Sequence, residues 1–416
     1  MSLIVRDHGA AADLATGTGG GRNRDIDREL LIDRAGAVAL LPAGLKELGV
    51  ARPLIVTDRG LAPLPPITLT QALLQGAGLP TQVFAGVWGN PVKSQVTAGV
   101  AAFRAHAADA IVAIGGGAAI DVAKAIALMT YHPGDLFDYE DEKPGASPID
   151  QKLPVYVAIP TTAGTGSEVG RSTVISDDQT HVKKIMFSPR LMAARVYADP
   201  DLTKELPAGV TAATGMDALT HLIEAYLAKG VQPLCDGIAL EGVRILSRSL
   251  VPAVEHARRI EAGEKALLEA PAHAEARAGM LNAALMGGVA FQKGLGVTHS
   301  LAHALSTVCD LHHGLVNGIC LPYAMAFNKD VAGPRLAELA HAAGAEAETA
   351  DGFIAWLTAL KAKVGIPRTL SEVGVTRAHL DRLVGIAVAD ACHPNNPRAV
   401  VEMDFHALFE RALAGT

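Results

Sequence analysis

Two periods alternate along the first half of the chain. Short apolar runs that end in Gly, Asp or Pro are each followed by a longer stretch with apolar positions three and four apart. ELLIDRAGAVALLPAGLKELG (29–49) predicts a strand, a turn and a helix. RPLIVTDRG (52–60) predicts a strand and turn, ITLTQALLQGAG a helix, and PTQVFAGV a strand. SQVTAGVAAFRAHAA predicts a helix, DAIVAIGGG a strand, AAIDVAKAIALMTY a helix, and PVYVAIP (154–160) a strand. Strands alternating with helices of this length predict a mostly parallel, helix-covered α/β sheet.

The pattern changes near Pro207. Beyond it the segments are long, Ala- and Leu-rich and helical in period, as in DGIALEGVRILSRSLVPAVEHARRI, ARAGMLNAALMGGVAFQKG and RLAELAHAAGAEAETADGFIAWLTALKAKVG. No strand pattern stands out there, so the second half is expected to be an all-helical domain. DPDLTKELPAG (199–209), with its two prolines, is the expected linker. Residues 1–28, with GTGGGRNRD at 17–25, read as a loose arm. The expected domains are therefore 1–206 and 207–416.

Composition narrows the classes. The chain has 416 residues, half of them hydrophobic, and a formal net charge of −7. That length supports two cores. The absence of a basic patch argues against nucleic acid as a partner. No apolar run approaches the roughly 20 residues of a membrane span. MSLIVRDHGAAADL has no apolar core of a secretory signal. Cys235, Cys309, Cys320 and Cys392 suggest no disulfide framework, which fits a reducing cytoplasm.

Three features could meet a nucleotide. Gly115, Gly116 and Gly117 follow a strand and open a helix, where backbone N–H groups and the helix dipole favour phosphate. Gly19–Gly21 has no strand before it and is given no such role. PTTAGTGSE (160–168) crowds hydroxyls and glycines at the carboxyl end of a strand, where open α/β sheets bind ligands. Asp58, at the end of LIVTD, could accept from adenosine ribose hydroxyls and repel a 2′-phosphate, favouring NAD over NADP; it could equally be a turn former.

A second group could hold a metal. Asp217 and His221 sit four apart in GMDALTHLIEAY (215–226), expected to be a helix starting after Gly215, and so share one face. With His299 in VTHSLAHALS and His313 in DLHHGLVNG, they offer one carboxylate and three imidazoles to Fe²⁺ or Zn²⁺. Spacing alone leaves His303 and His312 as competitors.

Taken in order, GGG with Asp121 and Lys124, PTTAGTGSE, GMDALTHLIEAY and the run from His299 to His313 resemble the iron-dependent (group III) alcohol dehydrogenases. The resemblance runs from about Glu29 to the C-terminus. It implies an N-terminal α/β dinucleotide-binding domain, an all-helical C-terminal domain, and a metal site in the cleft between them. The implied metal ligands are Asp217, His221, His299 and His313, with His303 not a ligand but a histidine that supports the ligands or transfers a proton. His313 is preferred to His312 because it precedes Gly314. The implied NAD(H) contacts are Asp58, Gly115, Gly116, Gly117, Asp121, Thr161, Thr162, Thr165, Ser167 and Lys183. Ala118 stands where the family usually has serine, Lys184 competes with Lys183, and the arm with Arg22 and Arg24 has no counterpart.

The expected activity is hydride transfer between nicotinamide and a small alcohol, diol or hydroxy acid, with Fe²⁺ (or Zn²⁺) as Lewis acid. The expected assembly is a homodimer or larger. The competing expectations are a dehydroquinate synthase-like NAD-recycling lyase, a maleylacetate reductase-like enzyme, and a non-catalytic binding protein.

Overall fold

The computed structural model describes residues 31–141 and 143–415; the N-terminal arm, with Arg22 and Arg24, lies outside them. Six strands form one sheet: Leu31–Asp33 (β1), Pro53–Asp58 (β2), Gln82–Val87 (β3), Ala110–Gly115 (β4), Val155–Pro160 (β5) and Arg195–Ala198 (β8). Their order is β1-β8-β5-β4-β2-β3, and every pairing is parallel. Leu41–Glu47 (α1), Pro65–Gly76 (α2), Lys93–Ala105 (α3) and Gly117–Tyr131 (α4) cover the sheet. The β4 side chains are buried on both faces, which explains why DAIVAI is a continuous apolar run.

Three strands escaped the sequence pattern. Ser172–Ser176 (β6) and Lys183–Phe187 (β7) form a separate antiparallel hairpin, and β8 completes the main sheet. These strands are four or five residues long and mix Ser, Thr, Lys and Arg with apolar residues, so their period is weak.

From Ala208 onward every regular element among the described residues is helical: Ala208–Leu227 (α5), Pro233–Glu261 (α6), Pro271–Ala290 (α7), Val297–Cys309 (α8), His313–Ala343 (α9), Ala350–Val364 (α10), Leu380–Val388 (α11) and Glu402–Ala414 (α12). The helix carrying Asp217 starts earlier than expected, at Ala208 and not after Gly215. Gly215 is a spacer: a Cβ there would lie 2.4 Å from Leu250 Cδ1, so the glycine lets α6 pack closely. The long helical pattern from Arg335 to Gly365 is broken at Gly344, whose φ of 69° ends α9 in a left-handed cap.

Helix α5 is the axis of the helical domain, with every residue from Thr211 to Leu227 buried. The expected linker is ordered and packed. The Asp199 carboxylate accepts from the backbone N–H groups of Gly36, Val38 and Asp201, tying it to the turn after β1.

Candidate metal and nucleotide site

Asp217 and His221 lie one turn apart on α5, as their spacing predicts. His299, in the first turn of α8, meets them. One donor atom from each of Asp217, His221 and His299 lies within 4.8 Å of the other two, and all three residues are buried. Two glycines make this crowding possible. A Cβ on Gly287 would lie 3.3 Å from His221 Cβ, so α7 closes on α5 there. A Cβ on Gly314 would lie 2.3 Å from the Ala213 carbonyl oxygen, so α9 begins almost in contact with α5.

That second contact brings in His313. Its Nε2 lies 3.5 Å from Asp217 Oδ1, and its ring centroid is 5.5 Å from that of His299. It joins the group at the edge, outside the tight trio. His312 has another job: exposed at the N-cap of α9, its Nδ1 accepts from Leu315 N–H.

The donors are poised for a cation. His221 Nδ1, His299 Nε2 and His313 Nδ1 are buried with no hydrogen-bond partner among the described residues. Burial pushes the His221 imidazole down to about 4, and burial, with Lys183 adding to it, holds His313 well below the usual histidine range. Both are therefore neutral near pH 7, the state a metal ligand requires. Orphaned buried nitrogens cost stability unless something satisfies them. One carboxylate and three imidazoles fit a divalent ion.

Residues that spacing alone missed complete the arrangement. Glu224, one turn beyond His221, lies 2.6 Å through Oε2 from His299 Nδ1 and accepts from the N–H groups of Gly296, Thr298 and His299. It thereby caps α8 and leaves His299 Nε2 as the free nitrogen. Asn317, one turn after His313, donates through Nδ2 to Asp217 Oδ1 at 2.7 Å. Glu224 was legible in the same motif as Asp217; Asn317 had only its helical spacing from His313.

His303 stands apart from the trio. Its Nδ1 lies 2.7 Å from Asp390 Oδ2, and its ring stacks on His313 at 5.2 Å. Asp390 also accepts from Ser300 Oγ and Cys392 N–H. Burial alone would raise this carboxyl; the charge and hydrogen bond of His303, with Ser300 and the Cys392 N–H, hold it well below the usual range. Burial and the Asp390 charge push the Cys392 thiol far up, so it is not a thiolate. Nothing in the local pattern of residues 390–392 signals this pairing.

The glycine turn is built as expected. Gly115 ends β4 with φ 152°, and Gly116 precedes α4 without any side-chain cap, leaving the helix N-terminus open. A Cβ on Gly117 would lie 2.5 Å from Thr165 Cγ2, and one on Gly116 3.1 Å from Thr162 Oγ1. The two loops therefore face each other closely, and Thr161 N–H donates to the Gly115 carbonyl. An uncapped helix start beside bare backbone fits a pyrophosphate.

Asp58 serves its turn through Oδ1, which accepts from Leu61 N–H at 2.8 Å, while Oδ2 faces Gly115. Asp121 and Ser167 are occupied with each other at 2.5 Å, and Asp121 also accepts from Val174 N–H. Lys124 is fully buried, and its ammonium donates to the carbonyls of Ser167, Gly170 and Ser172. These three residues fasten the 161–174 segment to α4. Lys183 opens β7 and lines a cavity between the hairpin and α8, whereas Lys184 pairs with Glu140 at 2.7 Å.

Comparison with known proteins identifies the family. Residues 30–200 match the model for iron-containing alcohol dehydrogenase, and residues 211–413 match the C-terminal model of the Fe-containing alcohol dehydrogenase family. A 4-hydroxybutyrate dehydrogenase of Cupriavidus necator is 36% identical over 392 residues, covering 91% of this chain and 96% of the relative. An NAD-dependent methanol dehydrogenase of Bacillus methanolicus is 34% identical over 385 residues, covering 91% and 96%. The crystal structure of a 1,3-propanediol oxidoreductase matches with a TM-score of 0.84 at 34% identity, covering 91% of this chain and 96% of that one. The class is an oxidoreductase of the alcohol dehydrogenase type, acting on CH–OH groups. The chain belongs to the iron-containing alcohol dehydrogenase family.

Proposed function

We propose that this enzyme is an Fe²⁺-dependent, NAD(H)-linked alcohol dehydrogenase that interconverts a small alcohol, diol or hydroxy acid with its carbonyl form. The observation that carries this is the meeting of one donor atom each from Asp217, His221 and His299 within 4.8 Å, with His313 Nε2 3.5 Å from Asp217 Oδ1 and partnerless buried nitrogens on His221 and His299. Asp217, His221, His299 and His313 would hold the metal. Zn²⁺ suits the same donors and binds more tightly by the usual affinity order, so metal supply decides between them. Gly115–Gly117, Thr161, Thr162 and Thr165 would cradle the pyrophosphate. Asp58 Oδ2 would meet the adenosine ribose and disfavour a 2′-phosphate, and Lys183 would lie near a ribose. Asp121 and Ser167 would act by holding the loop.

Bound metal supplies a Lewis acid for the substrate oxygen, and bound nicotinamide donates or accepts hydride. The chain's own part is geometry and proton handling. Glu224 fixes the His299 tautomer, and Asn317 aims the Asp217 carboxylate. Asp390 holds the His303 imidazole by Nδ1, so Nε2 is left to exchange the substrate proton with solvent. We place the domain division between residues 206 and 207, with the metal residues in the cleft at that join. We also infer a cytoplasmic homo-oligomer; no helix among the described residues is long and apolar enough to cross a membrane.

The test is anaerobic purification, metal analysis, and NADH oxidation against a panel of small aldehydes with and without added Fe²⁺, beside His299→Ala. Metal-dependent turnover that disappears in the variant supports the assignment. Stoichiometric metal with no turnover on any aldehyde would move the assignment to an NAD-recycling lyase.

A further inference from the structure

Among the described residues, three that are not glycine have left-handed backbone: Ala107, His181 and Asp310, with φ of 50°, 58° and 51°. Two of the three line one cavity of about 420 Å³. Such conformations are costly for a side chain and collect at functional sites. Asp310 ends α8, and His181 sits in the turn between β6 and β7. Asn90 Nδ2 donates to Asp310 Oδ1 at 2.9 Å, so the loop after β3 and the end of α8 meet across the cavity.

Part of the cavity wall belongs to α8, the helix that carries His299 and His303. Ser306 and Thr307 in its wall follow His303 by one turn of α8. Lys183 lines it too; burial pulls its ammonium below the usual lysine range, while the charges of Asp217 and Asp390 act the other way.

The charge of the cavity is one-sided. Arg382, from α11, and His181 are exposed on its wall, and neither side chain makes a hydrogen bond or ion pair among the described residues. Asp310 is the one carboxylate in the lining, and its Oδ1 is engaged by Asn90. Trp88, Val92 and Val308 supply apolar wall. A free guanidinium fork beside apolar surface suits a carboxylate on a short aliphatic chain.

We propose that Arg382, assisted by His181, binds the distal carboxylate of the substrate, so that the enzyme prefers ω-hydroxy acids and ω-oxo acids to uncharged alcohols and aldehydes. This rests on the dehydrogenase assignment above and names the substrate class of that same site.

The experiment compares kcat/KM for 4-oxobutanoate with that for butanal, using the metal-loaded full-length enzyme, Arg382→Gln, Arg382→Lys and His181→Asn. Asparagine tolerates the left-handed backbone at 181. The expected result is a wild-type preference for the oxo acid that falls about tenfold in Arg382→Gln, the scale of one lost charge-assisted contact. Arg382→Lys should fall less, and His181→Asn should lose part of the preference. A ratio within about twofold of wild type in both Arg382→Gln and His181→Asn overturns the proposal. If wild type reduces neither of these but turns over another aldehyde of the panel, this proposal alone fails; metal-loaded enzyme that turns over no aldehyde fails the dehydrogenase assignment itself.

Discussion

His299 Nδ1 lies 2.6 Å from Glu224 Oε2, joining residues 75 apart in the chain. Both side chains are buried, and the same carboxylate accepts the first N–H groups of α8. Glu224 therefore sets where α8 starts and which nitrogen His299 turns to the centre.

Glu224→Gln keeps the shape but removes the charge, and an amide cannot accept from every donor it faces. The variant should bind Fe²⁺ or Zn²⁺ about 10- to 100-fold more weakly. Chelator competition on the purified apoprotein reads this directly. Unaltered affinity would mean that Glu224 only caps the helix.

Gly314→Ala tests the seat of His313. Within a helix this exchange ordinarily stabilises by about 1 kcal/mol. Here the new methyl would lie 2.3 Å from the Ala213 carbonyl oxygen, a backbone atom that cannot swing aside. The sign should therefore reverse, with a loss of roughly 1–3 kcal/mol and weaker metal binding as α9 is pushed from α5. Calorimetry with and without metal checks both effects; a variant as stable as wild type would show that α9 shifts freely.

Asp390→Asn should lower kcat by about a hundredfold with a smaller change in KM, because His303 loses the partner that fixes its tautomer. The pH profile of kcat should shift as well. Asp390→Asn combined with His303→Ala should cost no more than His303→Ala alone. Additive losses would separate the two residues.

Glu168 predicts a pH dependence of stability. Burial raises its carboxyl to about 7, against the lowering effects of its own N–H and of Lys124. Its folded value thus lies above the ordinary 4.5. The folded state holds the proton more tightly, so stability falls as pH rises from about 4.5 through 7. Glu168→Gln should match wild type near pH 5 and exceed it near pH 8.5 by on the order of 2 kcal/mol. Melting temperatures at the two pH values test this; an equal difference at both would rule it out.

Period and local chemistry determined much of this protein in advance. Alternating strand and helix patterns specify the parallel sheet and the helical second half, because burial imposes period 2 or 3.6 on consecutive residues. The four-residue step from Asp217 to His221 and the glycines after β4 are local facts of the same kind. The weakly patterned strands β6, β7 and β8 were illegible because short polar strands carry little period. Tertiary structure alone decided what depends on contacts between distant segments. It assigned His312 to a helix cap and turned His313 toward Asp217, although the two histidines are adjacent and chemically alike. It paired His303 with Asp390 across 87 residues, and Asn90 with Asp310 across 220. Such pairings follow from how helices and loops close on one another, and that closure leaves no period in the chain.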